Sequence, residues 1–402
     1  VTGAVSGSNE VGGLIGRMTD ADATLTNVYA SGTVSGTSNA GGLIGRIFTS
    51  DPILPSNITL TDAYWDATAS GQTAAIGTTD AGSVVTGGAV DVASAPRSQS
   101  TYAGFDFTNT WIMVDGETRP MLRSEHSSVI FTSTALQLIS MNLAGSYSLG
   151  TDIDFTGAVA ANSNGSYSGI WGASGFVPLG SSATRFTGTL DGQGHTLTGL
   201  TINRAATSNV GLFAYTSGAT IRDLGLVGGS VRGLSYVGGL SANSAGGTIS
   251  NVFNTGSVTA TISGSGLVFA YAGGLVANNT SAISNSYATG TVTASGGDIG
   301  GLVGANAQGG TIADSYATGT VSTTTSFAVG GLTGINAGTI SGSHAAGTVT
   351  GGGAVIGGVG GLVGTNANGG TVTLSYATGA VTGTTSVGGL VGNNSYGGVS
   401  QS

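Results

Sequence analysis

The chain has 402 residues, a net charge of −9, glycine at 76 positions and charged side chains at only 7 %, against about 25 % in a typical soluble domain. All nine basic residues are arginine and cysteine is absent, which excludes a basic nucleic-acid face and any thiolate metal or disulfide chemistry. The glycines lack the every-third spacing of collagen, and 39 % hydrophobic residues are too many for a disordered chain, so a folded repeat protein is expected.

Residues 1–65 carry two copies of one phrase. Val11-Gly-Gly-Leu-Ile-Gly16 leads to Leu25-Thr-Asn-Val-Tyr-Ala-Ser-Gly32, and Ala40-Gly-Gly-Leu-Ile-Gly45 leads to Ile58-Thr-Leu-Thr-Asp-Ala-Tyr-Trp65. The alternation in Thr59–Tyr64 predicts a half-buried strand. Regularity breaks at Trp65, and 66–128, with more charge and new aromatics (Tyr102, Phe105, Phe107, Trp111), reads as an irregular closing segment. Residues 129–204 read as an opening segment. There Ser133 is expected to cap a short helix near 133–143 with Leu136, Ile139 and Leu143 on one face. Tyr147–Phe155 alternates as a strand, and Phe186–Ile202 reads as two strands around a turn at Asp191–Gly194.

From 205 to 402 the phrase recurs almost unbroken. Its leucines, Leu240, Leu275, Leu302, Leu332, Leu362 and Leu390, lie 35, 27, 30, 30 and 28 residues apart. Each unit holds three short extended pieces, Gly-Leu-Val-Gly, Thr-Ile-x-x-Ser-Tyr-Ala and Thr-Val-Thr, too short for helices. About 28 residues per unit make one coil of a β-solenoid, each coil pairing in parallel with the next at roughly 4.8 Å. Inward Leu, Val and Ile then form core ladders, Gly-Gly marks a corner with φ > 0 or close coil approach, and Asn306, Asn336, Asn366 and Asn393 are placed to stack amides from coil to coil. Charges must be rare, since stacking sets like charges about 5 Å apart.

The recurring Gly-Leu-(Val/Ile)-Gly core resembles the GLUG motif of large bacterial surface and secreted proteins, including filamentous-haemagglutinin-like adhesins. Leu14, Leu43, Leu302, Leu362 and Leu390 match best; Leu240, Leu275 and Leu332 depart in the neighbouring positions (Ser241-Ala242, Ala277, Thr333). Tyr64–Gly71 and Thr118–Leu122 look like the closer of such arrays, and Tyr147–Phe155 with Phe186–Ile202 like the opener. The resemblance implies a right-handed parallel β-helix in an exported, adhesive or biofilm-related polypeptide, and no defined catalytic residues.

Candidate chemistry is sparse. Asp152, Asp154, Arg185, Asp191 and His195 are the candidates for a polysaccharide-active site, although Asp191-Gly-Gln-Gly-His195 is also an ordinary turn. Asp20 with Asp22, or Asp152 with Asp154, are candidate calcium ligands, but the repeat lacks the one-Asp-per-coil pattern. His126 and His344 are isolated, with His344 in the Tyr slot of its repeat. Interrupted Thr and Ser rows argue against ice binding. Trp65, Trp111, Tyr167, Trp171 and Phe176 are candidate sugar platforms or, more simply, plugs for solenoid ends.

The sequence therefore predicts an all-β, right-handed parallel β-helix with about 28-residue coils and one short helix. Its expected role is a non-catalytic stalk or fibre section of a large exported bacterial adhesin, secreted or at the cell surface, mediating attachment or biofilm contacts. The chain is expected not to be an enzyme, and no catalytic, cofactor-binding or metal-ligating residue is assigned. The alternatives are a polysaccharide-active enzyme on the same scaffold and a self-polymerising extracellular filament subunit. Expected partners are cell-surface or matrix glycans or further copies of the chain, with no nucleic acid. No apolar run of about 18 residues exists, so no membrane insertion is expected in this segment. The start inside a repeat without Met suggests part of a longer chain.

Overall fold

A computed structural model describes all residues except 21, 52–55, 262–269, 326 and 353–356. They form two compact units, Val1–Glu125 with Gly157–Ala173, and His126–Thr156 with Ser174–Ser402. The fold is an all-β, right-handed parallel β-solenoid with coils of about 29 residues. In the second unit Ile221, Ile249, Ile283, Ile312, Ile340, Val372 and Val399 pair in succession, at steps of 28, 34, 29, 28, 32 and 27 residues. Variation in coil length is absorbed between the strands, so the inward rows stay in register.

One coil contains five extended pieces, where three were expected: Asp298–Gly300, Val303–Asn306, Thr311–Ala313, Tyr316–Ala317 and Val321–Thr323. Each pairs in parallel with its counterpart one coil on. The extra pieces arise because two expected strands are bent. Gly-Leu-Val-Gly is a corner, with Leu302 at the bend, fully buried, its N–H donating to the Leu332 carbonyl at 2.9 Å. Gly300 and Gly301 do not have positive φ, so of the two expected reasons for the Gly-Gly pair only close approach holds. A Cβ on Gly301 would overlap the Gly331 carbonyl oxygen of the next coil.

The second bend is where positive φ occurs. Asp223, Asn251, Asn285, Asp314, Gly342 and Leu374 occupy it at φ between 47° and 57°. Asn, Asp and Gly tolerate that region; leucine does not, and Leu374 is the strained member of the row. Serine repairs the sheet after the bend. The Ser286, Ser315 and Ser343 amides donate to the hydroxyls of Ser315, Ser343 and Ser375 one coil on, and those hydroxyls donate back to carbonyls of their own coils.

The core is built of ladders. Leu240, Leu275, Leu302, Leu332 and Leu362 are all fully buried. Beside them the Nδ2 groups of Asn279, Asn306, Asn336 and Asn366 donate in turn to the Oδ1 atoms of Asn306, Asn336, Asn366 and Asn394, at 2.8–2.9 Å. The last rung is Asn394, not Asn393, because Asn366 pairs in register with Asn394. Asn336→Ala strands an amide donor below and an amide oxygen above, each costing about 1 kcal/mol or more. The variant is expected to lose about 2–3 kcal/mol in denaturant unfolding, whereas exposed Gln308→Ala, at ordinary backbone angles, changes little.

The first unit follows the same plan. Ala23–Ala30, Asn57–Trp65 and Val84–Asp91 stack in parallel, as do Ile15–Thr19, Ile44–Phe48 and Ile76–Thr79. Parallel stacking thus continues past Trp65. Leu25, Leu43, Ile44, Ile47, Ile58, Leu60 and Trp65 form one core cluster, and Tyr29, Tyr64, Val92, Tyr102, Phe105 and Met113 a second.

The expected helix is Ser133–Gln137, continued as a 3₁₀ turn over Leu138–Met141. Its cap is Thr132, not Ser133: Thr132 keeps extended backbone and its hydroxyl accepts from the Ala135 N–H, while Ser133 is already helical. A further single turn, Ala67–Ser70, is capped by Asp66.

Candidate functional site

The expected site residues do not converge. Asp191 is buried and occupied as a turn residue: Oδ1 accepts from the Gln193 N–H at 2.9 Å, and Oδ2 from Gln193 Nε2 at 2.7 Å and Arg222 Nη2 at 2.5 Å. His195 Nδ1 lies 3.3 Å from Asp152 Oδ1, and both are exposed. The Thr196 N–H is the main group holding the Asp152 carboxyl below its usual value, with His195 assisting. Asp154 turns back on its own strand, where the Thr156 N–H and hydroxyl lower it in the same way. Arg185 lies elsewhere, over the Tyr215 ring at 5.9 Å. An acid/base pair needs two carboxyl groups facing one reacting bond, and this arrangement has each carboxylate spent on a local turn or strand junction.

The candidate calcium ligands also serve the coils. Asp20 accepts from the Ser50 N–H and hydroxyl, and the hydroxyl is the main cause of its lowered pKa. Asp22 accepts from the Asn57 N–H and side-chain amide. Among the described residues no three His, Asp or Glu side chains are grouped as a metal would need. His344 stacks between Tyr316 and Tyr376 in a row that begins Phe253, Tyr287, with ring centroids 4.7–5.0 Å apart and planes within 12°. The rings cover one another's faces and show their edges to solvent, a poor platform for sugars. His126 Nε2 lies 3.0 Å from the Tyr147 hydroxyl.

Most of the candidate aromatic platforms face inward. Trp65, Trp171 and Phe176 are buried, and Trp111 stacks on Phe105 at 4.3 Å. Beneath the aromatic end of the first unit lies a group the sequence did not reveal. Arg119, 2 % exposed, donates Nη1 to Asp66 Oδ2 at 2.7 Å and to the Tyr29 hydroxyl at 2.5 Å, and Nη2 to the Tyr167 carbonyl at 2.6 Å. Arg97 donates to the Trp171 carbonyl; burial, with Arg119 beside it, pushes its guanidinium down to about 10. Burial raises the Tyr29 and Tyr102 phenols. The signal for the Arg119–Asp66 pair was the resemblance to an array closer, whose two pieces, Tyr64–Gly71 and Thr118–Leu122, hold Asp66 and Arg119; nothing local marked Tyr29 or Tyr167.

Charge and hydroxyls also share a surface on the outer face of the second unit, near the exposed Phe131. A shallow pocket of about 300 Å³ there is lined by Ser146, Ser148, Thr189, Asp191 and Arg222 among others.

The description of the family model that matches the chain is the GLUG motif, over residues 7–35, 270–293 and 295–322. These are the copies around Leu14, Leu275 and Leu302, so the departure at Ala277 falls within the motif's range. The chain is a GLUG-motif-containing β-solenoid protein. It is 37 % identical over 118 residues to halomucin of Haloquadratum walsbyi, a match that covers 28 % of this chain and 1 % of halomucin. Two solved structures are among those similar to this chain. One is a Bacteroides ovatus protein assigned as an immunoglobulin A1 protease (TM-score 0.43, 21 % identity, 65 % of this chain and 83 % of that one). The other is named IgA1 protease (TM-score 0.43, 18 % identity, 71 % of this chain and 22 % of that one). These names correct the expectation that the chain is not an enzyme: with protease-named neighbours, a strictly non-enzymatic reading does not stand. At this similarity the likeness assigns no reaction to this chain. Among the described residues no helix is long and apolar enough to cross a membrane.

Proposed function

We propose that this chain is a stalk section of a large exported surface protein of the filamentous-haemagglutinin-like kind, holding other parts of that protein away from the cell. The observation that carries the reading is the unbroken in-register pairing of the second array: seven parallel strands from Phe213–Ser217 to Val391–Ser395, each held to its neighbours by backbone bonds. Stacked coils propagate one short sequence into length, which is what reach requires. From residue 233 onward only Asp298 and Asp314 are charged, so little in the array is open to screening by salt.

Within this reading, 66–128 closes one array and 129–204 opens the next, and the partners are glycans of a cell surface or matrix. Immunogold labelling of intact cells with antibodies against 205–402 tests the location. Label on thin projections outside the envelope is expected; label confined to the cell interior would contradict it.

A further inference from the structure

The outer face at the start of the second array differs from the repeat that follows it. Val129, Ser148, Asp191 and Arg222 are in register on four adjacent strands, and Ser146, Thr189 and Thr220 form the parallel row beside them. Further along, the first of these rows continues as Ser250, Ser284, Ala313, Ser341 and Thr373. Only at the opening coils does it carry charge. Alternation on Val129–Phe131 buries Ile130 completely and turns Val129 and Phe131 outward, Phe131 being 59 % exposed. The Phe131 ring rests against Gly150, where a Cβ would collide with it, so the ring is seated on the sheet with much of its surface open.

Arg222 is the pocket's reactive group in the electrostatic sense. It spends Nη2 on Asp191, and this buried carboxylate, itself fixed by two bonds from Gln193, aims the guanidinium. The guanidinium is half exposed and has no other partner among the described residues. Its free donor edge matches a carboxylate in bidentate geometry. Around it Ser146, Ser148 and Thr189 offer hydroxyls that donate and accept, as sugar hydroxyls do. An open aromatic face suits the C–H face of a sugar ring. Arg222 is in row with Val129, so Phe131 lies three strand spacings across and two residues along the strand from it, about 16 Å between backbones, more than one sugar ring covers.

We propose that this face binds an acidic oligosaccharide laid across the opening strands, with a hexuronate carboxylate on Arg222 and a sugar ring further along the same oligosaccharide on Phe131. It rests on the glycan-contact part of the reading above and adds the class of glycan and the residues. A free monosaccharide cannot span the two anchors.

Calorimetric titration of the full chain with trisaccharides of galacturonate, glucuronate, mannuronate and guluronate tests it, with maltotriose and cellotriose as neutral probes. At least one uronate trisaccharide is expected to bind, at least tenfold more tightly than its monosaccharide and than either neutral probe. Arg222→Gln and Phe131→Ala are each expected to weaken that binding tenfold or more. Both side chains are on the surface, and unchanged circular dichroism and melting show that the variants fold. No binding of any uronate, equal binding of a neutral probe, or unaltered binding by either variant overturns the proposal. Surface immunogold label without uronate binding would remove this site and leave the stalk reading in place.

Discussion

Replacing Arg119 by leucine is expected to lower the unfolding free energy of the first unit by about 3–5 kcal/mol, the range for removing one partner of a buried ion pair. Arg119 and Asp66 are each 2 % exposed. Without the guanidinium, the Asp66 carboxylate keeps only the Ala69 N–H on Oδ1 and leaves Oδ2 charged and dry. The Tyr29 hydroxyl and the Tyr167 carbonyl lose a donor as well. Denaturant melts of the wild type, Arg119→Leu, Asp66→Asn and the double variant measure the pair. Asp66→Asn preserves the cap of the turn Ala67–Ser70, so the double variant should lose clearly less than the sum of the single ones. A loss below about 1 kcal/mol in Arg119→Leu would show that this pair does not organise the end of the unit.

The second large effect is a pH dependence of opposite sign to ordinary acid unfolding. Asp298 sits in the second array, buried beside Tyr271 and Ala328, its register partners. Burial pushes its carboxyl from 3.8 up to about 7, against the Ala328 N–H, which pulls it down. Burial and the nearby Asp298 raise the Tyr271 phenol to about 12. A carboxyl raised in the folded state binds its proton more tightly there than in the unfolded chain. Its stabilising contribution is therefore complete below 3.8 and is lost as pH climbs through about 7. The gap between those values corresponds to about 4 kcal/mol. Asp298→Asn is expected to match the wild type near pH 4 and to exceed it by up to about 4 kcal/mol at pH 8. Taking the difference between variant and wild type removes the exposed carboxylates such as Asp20 and Asp152, whose lowered values act the other way. A difference that is flat with pH would contradict the burial of a charged Asp298.

The parallel solenoid was legible in the sequence because its cause is repeated. Leu302 and its counterparts recur at coil spacing, and only stacking buries such a row. Details inside a coil were less legible. The Asn393-Asn394 pair offers two chemically identical rungs, and register alone selects Asn394. Gly301 and Gly331 announced a corner, but glycine serves equally for positive φ and for close approach, and only the neighbouring coil decides. The row Asp223, Asn251, Asn285, Asp314 fell inside a piece expected to be extended throughout, at the second x of Thr-Ile-x-x-Ser-Tyr-Ala, although its side chains mark the left-handed bend. Long-range pairs left no periodic signal. Asp66 and Arg119 are 53 residues apart, and Phe131 and Arg222 are 91 apart; neither spacing repeats. The candidate site fared accordingly. Asp191 was singled out for its turn, and the structure makes it the support of Arg222, a residue no motif marked.

In the stalk reading the second array is a stack of equivalent coils bearing load one on the next. Pulling a single molecule from both ends of 205–402 tests it directly. Each coil of about 29 residues releases about 100 Å of extended chain, so a series of similar ruptures at that spacing is expected. One rupture releasing the whole segment, or smooth extension without steps, would contradict it.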